Sequence, residues 1–178
     1  MSTATFVPRI VVTGSECTGK TTLARLLAEQ LRGLWVPEFS RTYAESAPGP
    51  LTAADVPEIA RGQIALENAS LAASPTLIVQ DTDLVSTVVY ARHYYGACPE
   101  WILTETRDRL ASLYLLCDID IPWQGDGVRD RPFEREVLDS LFRATLAEFN
   151  ATVAPVSGIG DTRLRNALDA HRAWSNSR

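Results

Sequence analysis

The sequence of 178 residues predicts a three-layer α/β fold, in which a five-stranded parallel sheet carries helices on both faces. Two observations lead to this prediction. Short runs rich in Val, Ile and Leu recur along the chain, and segments with apolar residues at helical spacing separate them. Strands that alternate with helices form right-handed crossover units, so neighbouring strands run parallel. Ligands of such sheets bind beyond the carboxyl ends of the strands.

The predicted strands are residues 9–13, 34–37, 76–80, 112–117 and 151–156. Residues 9–13 read Arg-Ile-Val-Val-Thr, a β-branched run of the kind that a buried parallel strand needs. Residues 76–80 are also apolar enough to be buried on both faces. Pro37 ends the second strand, because proline cannot donate to a sheet ladder.

The predicted helices are residues 22–31, 52–72, 84–95, 99–109, 132–149 and 161–174. Thr52 can cap the second helix, and Gly96 can adopt left-handed angles at the end of the third. Asp161 or Thr162 is the expected cap of the last. Residues 44–57 contain three prolines and a glycine, which predicts loop up to the helix start near Thr52.

The most informative stretch is residues 14–21, Gly-Ser-Glu-Cys-Thr-Gly-Lys-Thr, which fits G-x-x-x-x-G-K-[ST] between a strand and a helix. The glycines let successive N–H groups converge on a polyphosphate, and the start of the helix adds partial positive charge. Lys20 is expected to reach the β and γ oxygens, and the hydroxyl of Thr21 to hold Mg²⁺. The predicted nucleotide-binding residues of this stretch are Gly14, Ser15, Glu16, Cys17, Thr18, Gly19, Lys20, Thr21 and Thr22.

Lys20 is also the only lysine among the 17 Lys and Arg residues of the chain. Arginine therefore occupies every other cationic position. A compact ammonium fits among phosphate oxygens as a point charge, which a planar guanidinium does not. This usage favours a functional motif over a chance match in a strand-to-helix turn.

Three carboxylates follow predicted strands at the edge where ligands bind. Asp81 follows an apolar strand, where proteins with this motif place the acidic residue that helps to hold Mg²⁺. The alternative role of Asp81 is to cap the next helix. Asp83 can take either of these two roles. Glu38 follows the second strand and can accept the proton of a substrate hydroxyl or bind sugar oxygens. The alternative for Glu38 is a surface ion pair with Arg41. Either Glu38 or Asp81 can serve as the general base.

Residues 118–132 are polar, contain two glycines and carry Arg129 and Arg131. This composition predicts a mobile lid over about residues 118–132. A lid that brings a guanidinium onto a transferring phosphoryl group excludes water and stabilises the transition state. The alternative is local pairing of the two arginines with Asp126 and Asp130, which is worth about 0 to 1 kcal/mol when exposed.

The composition excludes some classes of protein. The net charge of −5 and pI of 5.1 argue against a surface built for nucleic acid or anionic membrane. Three cysteines without metal-ligand spacing indicate a reduced, cytoplasmic setting. No apolar run approaches the length of a membrane span. The size suits one domain over residues 1–178, and the sequence leaves the oligomeric state open.

With these segments identified, the sequence resembles the ribosylnicotinamide kinase domain of NadR-type proteins, a P-loop kinase family, over nearly the whole chain. The motif at residues 14–21 is shared by very many NTPases. Three further motifs carry the resemblance, and their order and spacing make them more specific. Those three are Glu38-Phe-Ser-Arg41, then Asp81-Thr-Asp-Leu-Val-Ser-Thr87 followed by Tyr94 and Gly96, and Asp126-Gly-Val-Arg129.

The resemblance implies a P-loop kinase that uses ATP and Mg²⁺ to phosphorylate the 5′-hydroxyl of nicotinamide riboside, giving nicotinamide mononucleotide. It implies that Glu38 and the Asp81 and Asp83 pair face the riboside. It also implies that Tyr94 stacks on the nicotinamide ring and that Arg129 belongs to the lid. Arg41 is a further predicted substrate-binding residue. The catalytic set is then Lys20, Glu38, Asp81 and Arg129.

Two departures from the family pattern affect the acceptor. Pro37 stands where relatives carry an aromatic residue, so Trp35 or Trp123 is expected to substitute, with Trp123 the candidate in the substrate site. The chain also has no room for the DNA-binding and adenylyltransferase domains of the multifunctional relatives. If it is such a kinase, another protein completes the route to NAD.

Other functions remain open at this stage. The nearest is a P-loop kinase for another nucleoside or a nucleotide. A regulatory NTPase or a sensor without activity is a different class; the Asn-Lys-x-Asp motif of GTPases cannot occur, since Lys20 is the only lysine. An ABC or AAA motor would carry a signature motif or a larger assembly surface, and the sequence shows neither.

Overall fold

The computed structural model describes residues 6–122 and 134–178, and the two ranges form a sheet flanked by helices. The strands are β1 (Arg9–Thr13), β2 (Leu34–Val36), β3 (Ile78–Asp81), β4 (Leu113–Cys117) and β5 (Val153–Val156). The helices are α1 (Lys20–Leu31), α2 (Phe39–Ser46), α3 (Val56–Ala72), α4 (Leu84–Tyr95), α5 (Glu100–Asp108), α6 (Arg135–Glu148) and α7 (Asp161–Asn176).

The five strands are all parallel and lie in the order β2-β3-β1-β4-β5. The register aligns Val12 of β1 with Asp81 of β3 and with Leu115 of β4. The carboxyl end of β1, which leads into the glycine-rich loop, therefore lies beside Asp81. The predicted α/β fold with a five-stranded parallel sheet is confirmed, and the strand order places the phosphate loop at the centre of the sheet.

Two apolar cores separate the helices into layers. Helices α3, α4, α5 and α6 pack on one face, where Val11 and Tyr114 of the central strands are fully buried. Helices α1 and α7 pack on the other face, against Ile10 and Val12. Successive residues of β1 thus point to opposite cores, which explains why the strand is apolar at every central position.

Most predicted elements are confirmed to within a few residues. Gly96 ends α4 with a φ of 77°, as expected for a left-handed cap. The predicted capping role of Thr52 is confirmed at a short 3-10 helix, Ala53–Asp55, through a reciprocal pair of bonds with Asp55, and α3 begins directly after it. Asp161 and Thr162 do not cap α7, since Gly160 precedes the helix and no side chain caps it.

The prediction of loop from residue 44 was wrong, because residues 44–46 belong to α2. This helix has no side-chain cap, so its sequence gives no start signal. Packing stabilises it instead. The aromatic rings of Phe39 and Tyr43 lie one turn apart with centroids 6.1 Å from each other, and Phe39 covers Gly62 of α3.

None of the helices in the described ranges is both long and apolar enough to cross a membrane. Of the predicted lid at about residues 118–132, residues 123–132 lie outside the described residues, so its mobility stays a prediction.

Candidate active site

The loop between β1 and α1 has the conformation that its glycines permit. Gly14 has a φ of 130°, and a β-carbon there would lie 2.9 Å from the carbonyl oxygen of Cys117 at the end of β4. Gly19 has a φ of 75° and immediately precedes α1. Side chains at either position would strain the backbone. The loop therefore passes close to β4 and delivers the amino end of α1 to the edge of the sheet.

Bonds within the loop keep it compact. The Thr18 hydroxyl donates to the carbonyl oxygen of Ser15 at 2.9 Å, and the Lys20 ammonium donates to the same oxygen at 2.7 Å. Lys20 is buried, with 9% of its surface exposed. An ammonium held by a main-chain carbonyl beside a helix start is well placed to exchange that contact for phosphate oxygens.

A cavity of about 130 Å³ opens directly over this loop. Its lining brings residues 16–22 of the phosphate loop together with Glu38 and Arg41, which come from the segment after β2. The two groups are far apart in sequence and meet because β2 and β1 end at the same edge of the sheet. The cavity thus joins a predicted phosphate site to a predicted acceptor site.

Thr21, which lines this cavity, is in contact with Asp81 at the end of β3. The Thr21 hydroxyl donates to the carboxylate Oδ2 of Asp81 at 2.6 Å, while Oδ1 is buried without a hydrogen-bond partner among the described residues. Burial raises the pKa of Asp81, and the nearby Glu38 adds to the effect, while the bond from Thr21 and the charge of Lys20 oppose it. A hydroxyl and a carboxylate with a free oxygen are the hard donors that Mg²⁺ prefers. These residues fit the predicted metal site.

Glu38 is the residue before α2 and is only 7% exposed. Its carboxylate accepts a bond of 2.7 Å from the Ser40 hydroxyl and lies 3.7 Å from Nε of Arg41. The ion pair proposed as the alternative role therefore exists. It is not a surface pair, however, since the carboxylate is buried at the cavity while the Arg41 side chain is half exposed.

Asp83 differs from the expectation that it faces a substrate. Its carboxylate accepts from the amide of Val85 at 3.0 Å, which caps α4, and from the Tyr114 hydroxyl at 2.6 Å. Burial raises the pKa of Asp83 to about 6 and that of Tyr114 well above 10.0. Both oxygens of Asp83 are thus engaged within the fold. The capping role offered by the sequence is the one that the structure supports.

Tyr94 lies near the end of α4 and is not among the residues that line the cavity. Its ring is 39% exposed and nearly parallel to that of Tyr90, with centroids 6.0 Å apart. Its hydroxyl lies 3.5 Å from a carboxylate oxygen of Glu134. The other predicted site residues of the lid region, Trp123, Arg129 and Arg131, lie outside the described residues.

The sequence reasoning missed three residues that support the site. Gln63 of α3 accepts from the amide of Phe39 at 3.0 Å and so fixes the start of α2 beside Glu38. Arg135 and Arg163 donate to the carbonyl oxygens of Cys17 and Thr18 from outside the phosphate loop. For Arg163 a signal was present, since a cation in the first turn of a helix opposes the helix dipole.

The sequence of this chain is similar to that of known proteins. The sequence matches the family described as AAA domain over residues 9–165. The trifunctional NAD biosynthesis/regulator proteins NadR of Salmonella typhimurium and Escherichia coli are each 26% identical to it over 151 residues. These matches cover 82% of this chain and 37% of either relative. The chain therefore spans a little over a third of their length.

Solved structures agree with the sequence matches. A NadR protein in complex with NR superposes with a TM-score of 0.76 at 26% identity, over 97% of this chain and 53% of that one. NadR in complex with NAD and AMP-PNP gives 0.75 at 25% identity, over 97% and 51%. Thymidylate kinase from Ehrlichia chaffeensis gives 0.69 at 16% identity, over 94% and 98%, and shares the fold. The resemblance to NadR-type proteins is confirmed.

Proposed function

The chain belongs to the AAA domain family, and we propose that within it this protein is an ATP-dependent kinase that phosphorylates the 5′-hydroxyl of nicotinamide riboside to give nicotinamide mononucleotide. The observation that carries the proposal is the match to a NadR structure with NR bound, at a TM-score of 0.76 over 97% of this chain. The match to NadR with AMP-PNP supports an adenine nucleotide as the donor.

On the donor side, the loop amides and Lys20 bind the phosphates of ATP. Phosphoryl transfer requires little covalent chemistry from the protein and depends on positioning and on charge neutralisation. Thr21 and Asp81 would hold Mg²⁺, which would supply positive charge to neutralise the phosphates. The 2.6 Å contact between their side chains and the free Oδ1 of Asp81 support this role.

On the acceptor side, Glu38 accepts the proton of the riboside hydroxyl. Glu38 is favoured over Asp81 as the base because Asp81 is bonded to Thr21 of the metal site, whereas Glu38 lines the cavity beside the phosphate loop. Arg41 lies 3.7 Å from Glu38, where it would orient that carboxylate. Arg41 is also placed to bind hydroxyl oxygens of the sugar.

The remaining roles come from the family resemblance. Tyr94 and Trp123 would hold the nicotinamide ring, and the exposed ring of Tyr94 supports its part. Arg129 and Arg131 would bind the transferring phosphoryl group as the lid closes. Asp83 is left out of the substrate site, because its carboxylate is used by Val85 and Tyr114.

The second candidate is an NTPase that hydrolyses ATP without a small acceptor, which the AAA domain description of the family favours. The two functions differ in where the γ-phosphoryl group goes. A kinase transfers it to a hydroxyl, whereas a hydrolase releases inorganic phosphate whether or not a riboside is present.

The test is an assay with γ-labelled ATP, Mg²⁺ and a panel of acceptors: nicotinamide riboside, nicotinic acid riboside, adenosine, thymidine, thymidine monophosphate and no acceptor. We expect label in nicotinamide mononucleotide, identified by mass, and little free phosphate without a riboside. The Lys20→Ala variant is the control for contaminating kinases. Label that enters only a deoxynucleoside or a nucleotide, or only inorganic phosphate, would contradict the proposal.

A further inference from the structure

Arg163 touches the phosphate loop from the outside, although it lies 145 residues further along the chain. Its Nη1 donates to the carbonyl oxygen of Thr18 at 2.9 Å, its Nε to that of Gly158 at 2.6 Å, and its Nη2 to that of Asp118 at 3.1 Å. Nη2 also contacts the carboxylate of Asp120. One guanidinium thus joins the phosphate loop, the segment after β4 and the turn before α7.

We propose that Arg163 is a positioning residue of the phosphate loop, which sets the direction of the Gly19 amide that faces the nucleotide. The proposal concerns the nucleotide-binding half of the function suggested above and does not depend on which acceptor is used. Arg163 itself would contact no phosphate, because it lies behind the loop.

The geometry of the peptide bond gives the reason. In a trans peptide unit the C=O and N–H groups point in opposite directions. The carbonyl of Thr18 and the amide of Gly19 belong to one such unit. When Arg163 holds that carbonyl from outside, the Gly19 N–H is directed inward, towards the position of the phosphates. A charged donor on the carbonyl also polarises the unit and strengthens the N–H as a donor.

Gly19 is where such control is needed. Its φ of 75° lies in the left-handed region, and glycine moves between backbone regions more freely than any other residue. Within the loop, Ser15 accepts bonds from Thr18 and Lys20, but those bonds leave the carbonyl of Thr18 free. The contact from Arg163 is the hydrogen bond, among those of the described residues, that fixes this peptide unit from outside the loop.

Arg163 occupies a position that is unfavourable for a cation unless it has such a role. It is 3% exposed and lies in the first turn of α7, where the helix dipole repels positive charge. Three neutral carbonyls and one carboxylate surround it. Asp120 completes the unit, since it also accepts from the amide of Gly158 at 2.5 Å.

The test compares Arg163→Ala and Arg163→Lys with Arg165→Ala, a matched control on the same helix. Arg165 is exposed and donates to the Thr162 hydroxyl without touching the phosphate loop. Calorimetry gives the Kd of Mg·ATP and of inorganic tripolyphosphate, which binds through phosphate contacts alone. Circular dichroism and thermal unfolding establish the folded fraction of each protein.

We expect Arg163→Ala to raise both Kd values about tenfold, as for the loss of a charge-assisted hydrogen bond, and Arg165→Ala to leave them within about twofold. Arg163→Lys should raise them about threefold, because one ammonium cannot reach three carbonyls in the geometry of the guanidinium fork. In turnover assays the KM for ATP should rise, while the KM for the acceptor stays within about twofold.

A purely structural role would lower the melting temperature of Arg163→Ala and leave both Kd values of the folded protein unchanged, which would overturn the proposal. Arg163→Lys provides the test if the alanine variant does not fold, and wild-type affinity in the lysine variant would likewise overturn it. A wild-type protein that binds ATP but leaves nicotinamide riboside unmodified would refute the proposed acceptor and not the role of Arg163.

Discussion

The two sides of the cavity are built in different ways. The phosphate side is one continuous segment, residues 14–21, whose working groups are largely main-chain amides and a helix start. The acceptor side takes its charged groups from Glu38 and Arg41, and these are held in place by α2 and by Gln63 of α3. The first side is therefore encoded mainly by one contiguous motif, to which Arg163 adds a contact from α7, whereas the second depends on how two helices pack.

Lys20→Ala tests the phosphate side and has the largest expected effect. Removing the ammonium should reduce kcat/KM for ATP by about 10³-fold, as for the loss of a group that stabilises transition-state charge. The acceptor side is built from other residues, so affinity for the acceptor should stay within about twofold. Steady-state kinetics with each substrate varied in turn separates the two effects.

Lys20→Arg is the companion variant. It keeps the charge but places a planar fork where a compact ammonium fits, and we expect it to recover only a small part of the activity. Full activity of the arginine variant would show that any cation suffices at this position, against the argument drawn from the single lysine.

Glu38→Gln tests the acceptor side and should be the next largest effect. Loss of a general base reduces kcat by about 10²- to 10³-fold, while the Kd of ATP should not change. Glu45→Gln is the matched control, since Glu45 lies on α2, the helix that Glu38 precedes, and is exposed. If Glu38→Gln turns over at the wild-type rate, Glu38 is not the base and Asp81 becomes the candidate.

The same contrast explains what the sequence could predict. The strands and the phosphate loop were predictable, because β-branched runs and a motif of eight contiguous residues carry their own signals. Helix α2 was not, because it is stabilised by Phe39 against Gly62 and by the bond from its amide to Gln63. The contacts of Arg163 join segments up to 145 residues apart, so its cation in the first turn of α7 was a local signal that could not identify those partners.

For Asp83, the sequence motif located the carboxylate correctly but did not decide whether it binds a ligand or caps a helix. The pattern after β3 placed two carboxylates at the sheet edge, but spacing alone could not say which one turns inward. The partner that decides is the hydroxyl of Tyr114, which comes from a different strand. The predicted roles of Trp123, Arg129 and Arg131 fall outside the described residues and stay predictions.

Asp83→Asn tests this buried carboxyl through the pH dependence of stability. Its pKa is about 6 in the folded chain and 3.8 in the unfolded reference, so between these pH values the native protein holds a proton that the unfolded chain has lost. The free energy of unfolding should therefore fall by about 3 kcal/mol in total as pH rises from about 4 to 6. Above that range the destabilisation due to ionised Asp83 is constant.

The amide that Asp83→Asn introduces does not titrate, so the stability of this variant should lack the decrease. Urea unfolding of both proteins at several pH values gives the comparison, and subtracting one curve from the other removes the contribution of all other groups that titrate alike. The stability of wild type relative to the variant should decline between about pH 4 and 6. Parallel curves would mean that the pKa of Asp83 is the same in the folded and unfolded protein.

Gly62→Ala has the smallest expected effect and tests whether packing of α2 on α3 sets the acceptor side. A β-carbon at Gly62 would lie 2.0 Å from the ring of Phe39, so the ring and the start of α2 beside Glu38 must shift. Overpacking of this kind costs about 1 to 3 kcal/mol. Glycine to alanine inside a helix otherwise stabilises by about 1 kcal/mol, so the sign of the change is informative.

We expect lower stability and a higher KM for the acceptor, with an unchanged Kd for ATP. Gly49→Ala is the control, because a β-carbon at Gly49 meets no atom within 4 Å. A more stable Gly62→Ala protein with normal acceptor kinetics would show that α2 is held in place without this contact.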